Sequence, residues 1–145
     1  MMQAAARAAR ETSAKLARQM PVMIGVTVLT SMDQEALRAI GVERPVHEQV
    51  IALARMTQLA GLHGVVASAQ ETPALRQACG PDFQIVTPGI RGASAGTERN
   101  DQSRTMGPAE AIRAGASYVV VGRPIIAALD PRAAAAAIGE ELAHA

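Results

Sequence analysis

Tyr118-Val-Val-Val-Gly-Arg-Pro-Ile125 is a β-branched apolar run that stops at a glycine followed by an arginine. Thr87-Pro-Gly-Ile-Arg91, which follows Phe83-Gln-Ile-Val86, repeats that ending upstream. Each reads as a short strand whose end presents backbone N–H groups and a guanidinium to an anion. Glycine allows close backbone approach, the segment after it can open a helix whose N-terminus favours negative charge, and arginine adds a planar fork of donors suited to phosphate oxygens. This end of the chain is expected to grip a phosphorylated small molecule.

Working outward, strands and helices alternate. Residues 2–18 are strong helix formers without a breaker. After Pro21, Val22-Met-Ile-Gly-Val-Thr-Val-Leu29 is a continuous apolar run of the kind expected for a strand buried on both faces of a parallel sheet. Ser31 or Asp33 can cap a short helix through Ile40, and Pro45 opens a helix to about Ala60. Gly64-Val-Val-Ala-Ser68 is a second strand, residues 70–79 a helix, and Phe83-Gln-Ile-Val86 a third strand. A polar stretch from Gly92 to about Thr105 lacks apolar periodicity and is longer than most connections. Pro108 to Ala114 is a short helix, Tyr118-Val-Val-Val121 the fourth strand, and Asp130-Pro131 starts an alanine-rich C-terminal helix. Repeated βα units with short connections predict an α/β fold with a parallel sheet and right-handed crossovers. Four such units are either half of a (β/α)₈ barrel or an open doubly wound sheet, and spacing does not separate the two.

Composition narrows the function. The 145 residues are 49% hydrophobic and 19% charged with a net charge of +1, which suits one soluble domain and gives no reason to expect nucleic acid or an anionic membrane as partner. With one Phe, one Tyr and no Trp, base-stacking platforms are excluded as a main device. Cys79 is the only cysteine, so no internal disulfide forms, which fits a reducing cytoplasm; it reads as a buried spectator. No apolar run approaches the roughly eighteen residues of a membrane span. The Ala/Arg-rich N-terminus could pass for a transit peptide, but Glu11 and helical spacing favour an ordinary helix. His47 and His63 lack carboxylate or cysteine partners at ligand spacing and His144 is a tail residue, so no metal site is expected. Glu71 reads as a cap or pairing residue of the helix it begins, with a polar role at the mouth of a barrel as the alternative.

In a (β/α)₈ barrel the functional groups lie at the C-terminal ends of the strands, and phosphate is often held after the last two. Arg91 and Gly122-Arg123 occupy those places, with Asp101-Gln102 in the long connection between them. Surface or ion-paired arginines are the bland reading of the same pattern. Val26-Thr-Val-Leu-Thr-Ser-Met32, Gly64-Val-Val-Ala-Ser-Ala-Gln-Glu71, Val86-Thr-Pro-Gly-Ile-Arg91, Asp101-Gln102 and Gly122-Arg-Pro-Ile125 occur in order and, taken together, resemble the orotidine 5′-phosphate decarboxylase family over nearly the whole chain.

The resemblance implies a (β/α)₈ barrel, an active homodimer, a cytoplasmic lyase of UMP biosynthesis, orotidine 5′-phosphate as substrate, UMP and CO₂ as products, and no cofactor or metal. It places Thr30 at the pyrimidine end of the ligand, with Ser31 either beside it or serving as a helix cap. Arg91, Gln102, Gly122 and Arg123 fall at the phosphoribosyl end, Arg123 as the main clamp. The family's catalytic Asp and Lys groups, including an Asp-x-Lys-x-x-Asp motif, have no counterpart, and the only lysine is Lys15 in the first helix. Residues 1–145 are therefore expected to be a single partial barrel, strands five to eight, with no catalytic residue and no activity alone. A stand-alone half barrel that dimerises and binds phosphorylated ligands without catalysis is the second reading. A different phosphate-binding barrel enzyme is the third, disfavoured because Thr27-Val-Leu-Thr-Ser31 and Asp101-Gln102 are not generic phosphate-loop features.

Overall fold

The computed structural model describes residues 1–90 and 106–145. Helix α1 (Met2–Lys15) precedes strand β1 (Ile24–Val26), and α2 (Gln34–Ala39) and α3 (Val46–Leu59) lead to β2 (Gly64–Val66). A 3₁₀ turn (Ala69–Glu71) runs into α4 (Thr72–Cys79), followed by β3 (Gln84–Thr87), α5 (Pro108–Arg113), β4 (Tyr118–Val119), α6 (Arg123–Ile126) and α7 (Pro131–Ala143).

Strand order settles the architecture. The sheet runs β1-β2-β3-β4 and every neighbouring pair is parallel. A doubly wound sheet reverses its order at a switch point, whereas a barrel adds each strand on the same side of the last. Here every step goes the same way. The register aligns Val26, Val66, Val86 and Tyr118 in one row across the sheet, and Gly25, Val65 and Ile85 in the next. Side chains of adjacent rows point to opposite faces. Val65 and Ile85 are fully buried beneath the helices, while Val26 is 63% and Tyr118 58% exposed.

The expectation of strands buried on both faces is thus corrected. All the helical cover lies on one face, and the other face, which would be a barrel's interior, is open among the described residues. The apolar runs are shorter as strands than as sequence: β1 keeps three residues of its run because only three pair in register with β2.

The core lies between sheet and helices. Its larger part gathers Leu37, Val50, Ala54, Val65, Leu75 and Ile85, and a smaller part beneath α5 gathers Ala69, Ile90, Ala111 and Ala116. At about 25 cal/mol per Å² of apolar area, the Val, Leu and Ile side chains among them each contribute roughly 1.5–3 kcal/mol on burial. Gly25 permits close packing of the helix layer, since a Cβ there would stand 2.9 Å from Thr57 Oγ1. Asp33, and not Ser31, caps α2, its carboxylate accepting from the Ala36 N–H at 2.9 Å. Glu71 precedes α4 but makes no side-chain capping hydrogen bond, so the capping expectation fails; its side chain is buried.

Candidate functional site

The C-terminal ends of the strands form one rim. After β1 the chain turns through Leu29 and Thr30, with the Met32 N–H donating to Leu29 O at 2.9 Å, before Asp33 starts α2. Thr30 and Ser31 line a cavity of about 250 Å³ whose floor is Val26 and Val66 of the open face and whose far wall is Pro88, just beyond β3. Thr30 is half-buried and Ser31 exposed. The sequence reading placed Thr30 at a ligand's base; the structure puts it in an apolar-floored recess at the barrel-type functional end. Val66 and Pro88 were missed as wall residues. Their signal was the alternation of side chains along each strand, which is readable only once the open face is known.

β3 ends at Thr87 and the chain runs on through Pro88-Gly89-Ile90. Gly89 has φ +77°, a left-handed value that glycine adopts without steric cost. Ile90 then bridges Met106 in parallel. Arg91 and Gln102, both assigned to the phosphoribosyl end, lie outside the described residues, as does Asp101.

β4 leads to the second arm of the rim. Gly122 is the N-cap of α6 and Arg123 its first residue, exposed to solvent. Gly122 has φ −111° and ψ −94°, and a Cβ there would meet nothing within 4 Å, so packing does not require a glycine. What the glycine leaves is open space beside the turn. Pro124 has no N–H, and the Ile125 and Ile126 amides both donate to Gly122 O, at 2.9 and 3.1 Å. Pro124, Ile125 and Ile126 therefore leave no backbone donor for an anion at this turn, which offers fewer amides than the sequence suggested.

A larger hollow of about 470 Å³ lies at the opposite ends of the strands, bounded by His63, Asp82, Gln84 and Tyr118. In a barrel lineage that is the end that serves stability, and His63 is engaged there, its Nδ1 accepting from the Met23 N–H at 2.9 Å. Cys79 borders this hollow; burial raises its thiol pKa, partly offset by the positive charges of Arg55 and Arg76. Its lining offers no nucleophile poised for reaction. Among the described residues no cluster of His, Cys, Asp and Glu could hold a metal ion, and no helix is long and apolar enough to cross a membrane.

With this geometry in place, the family described as "Orotidine 5′-phosphate decarboxylase / HUMPS family" matches residues 1–138. The chain belongs to that family. The decarboxylase family likeness extends to individual relatives. Orotidine 5′-phosphate decarboxylase of Moorella thermoacetica is 60% identical over 98% of this chain and 56% of its own length. That of Syntrophotalea carbinolica is 53% identical over 100% of this chain and 59% of its own. The chain thus spans somewhat more than half the length of these relatives. Among solved structures, orotidine 5′-phosphate decarboxylase from Lactobacillus acidophilus matches with TM-score 0.71 and 39% identity, over 86% of this chain and 50% of that one. An uncharacterized conserved protein from Geobacillus kaustophilus matches with TM-score 0.77 and 31% identity, over 98% and 58%. The four-stranded sheet is accordingly half of the family's (β/α)₈ barrel.

Proposed function

We propose that this chain is the nucleotide-binding part of an orotidine 5′-phosphate decarboxylase, corresponding to strands five to eight, and that it is catalytically silent by itself. The observation that carries this reading is the shared rim: the Thr30–Ser31 cavity and the Gly122–Arg123 turn stand at the same, C-terminal ends of one sequentially ordered parallel sheet. In this reading Thr30 meets the pyrimidine. Arg123 and the adjacent amides hold the 5′-phosphate, joined by Arg91 and Gln102.

The reaction breaks the bond between C6 and the carboxylate carbon. The electron pair stays on C6 until a proton arrives, and CO₂ leaves. By resemblance to the family, that proton comes from a lysine set among aspartates. Here the only lysine, Lys15, is exposed on the last turn of α1. Met2 touches Thr57 of α3, and Ala6 and Arg10 pass Gly61, the turn that leads into the N-terminal end of β2. The course of α1 thus carries Lys15 away from the rim. Phosphate contacts supply binding energy, but they lower the barrier only when coupled to stabilisation at the reacting carbon. This chain binds without that coupling.

The test is direct. Calorimetric titration should show UMP binding more tightly than uridine, and Arg123→Ala should remove at least tenfold of the UMP affinity while sparing uridine. Orotidine 5′-phosphate should not be turned over. Equal affinities for UMP and uridine, or turnover by the purified chain, would overturn the reading.

A further inference from the structure

Arg76 has an unusual set of partners. Its Nε donates to Gly115 O at 2.8 Å; Nη1 donates to Gly80 O at 3.2 Å, to Pro81 O at 2.9 Å and to Phe83 O; and Nη2 donates to Ser117 Oγ at 2.8 Å. It makes no ion pair with a carboxylate among the described residues. The rigid fork is spent on neutral oxygens of two connections, the turn from α4 into β3 and the turn from α5 into β4.

The second connection matters for the rim. β4 contributes only Tyr118 and Val119 to the ladder. Just before it, the chain departs from regular pairing. The Ser117 N–H donates to Ile85 O at 2.9 Å, one residue ahead of the donor that a ladder aligned on Val86–Tyr118 places there. The Ile85 N–H donates to Ser117 Oγ at 3.1 Å, so a side-chain hydroxyl stands in for a backbone acceptor. That same hydroxyl receives Arg76 Nη2. Gly115 accommodates the junction twice over: its φ is +105°, and a Cβ there would lie 2.9 Å from Arg76 Cγ. The entry to β4 is therefore built from Arg76, Gly115 and Ser117 together.

Gly122 comes five positions after Ser117, and extended chain advances about 3.3 Å per residue. A slip of one residue would exchange the two faces of the strand and move the turn that follows it. We propose that Arg76 is a positioning residue for the phosphate grip: through Ser117 it sets the register of β4 and hence the place of Gly122 and Arg123 on the rim. This rests on the nucleotide-binding reading above.

The test compares Arg76→Lys and Ser117→Ala with the unaltered chain, each titrated with UMP and with uridine at a temperature where circular dichroism shows it folded. Arg76→Lys keeps the charge but cannot span two connections with a point-like ammonium; Ser117→Ala removes only the shared hydroxyl. Expected is a loss of about tenfold or more in UMP affinity with uridine affinity unchanged in both variants. General loosening would lower both affinities together, and that result, or folded variants with unaltered UMP affinity, would overturn the proposal. Should Arg76→Lys fail to fold, Ser117→Ala decides alone. If the unaltered chain does not prefer UMP to uridine, the nucleotide-binding reading itself falls, and this proposal with it.

Discussion

Two glycines in the described structure make opposite demands. A Cβ on Gly64 would lie 2.1 Å from the backbone carbonyl oxygen of Gln84, so β2 and β3 could not keep their spacing. Gly64→Ala should cost about 3 kcal/mol, the upper range for overpacking, seen as a lower urea midpoint. Gly139, inside α7, meets nothing within 4 Å, and Gly139→Ala should stabilise by up to about 1 kcal/mol through helix propensity. At this scale the sequence was legible in where its motifs fall along the fold. Thr30 and Gly122-Arg123 stand at strand ends, as read. Arg76 was invisible: within Leu75-Arg76-Gln77 it looks like ordinary helix-surface charge. Its acceptors lie at 80–83 and 115–117, and only the folded chain brings both groups to one guanidinium.

Among the elements, stability should be uneven. Helix α3 seats Val50, Ala54 and Thr57 in the buried layer, whereas α7 buries no residue; Glu141 Oε1, accepting from the Ala109 N–H at 3.3 Å, links α7 to α5. Amide exchange should therefore be slowest in α3 and the β2–β3 ladder and fastest in α7, measured residue by residue by NMR. Slow exchange across α7 would contradict this ordering. The number, type and order of the described elements followed from periodicity and punctuation, because apolar runs, prolines and glycines act locally. Strand lengths did not follow. Val22–Leu29 is uniformly apolar, yet only Ile24–Val26 finds partners, and pairing is a property of two segments at once.

For the whole molecule, the decisive fact is the strand order, which periodicity and spacing left open and to which only the family resemblance of the motifs pointed. Alternating βα units suit both an open sheet and a barrel; only the unreversed order β1-β2-β3-β4 separates them. That order leaves β1 and β4 as edges and an apolar row of Val26, Val66, Val86 and Tyr118 facing outward among the described residues. Exposed edges and apolar faces of this kind drive association. Sedimentation equilibrium should show dimers or larger species growing with concentration, and a monomer that melts cooperatively at high concentration would contradict this. The junction ahead of β4 has a different kind of robustness. Its acceptors are carbonyl and hydroxyl oxygens, which neither gain nor lose charge in moderately acidic solution. Where an arginine–carboxylate pair would release as its acid partner protonated, this fastening has no carboxylate to protonate, so acid has no handle on it.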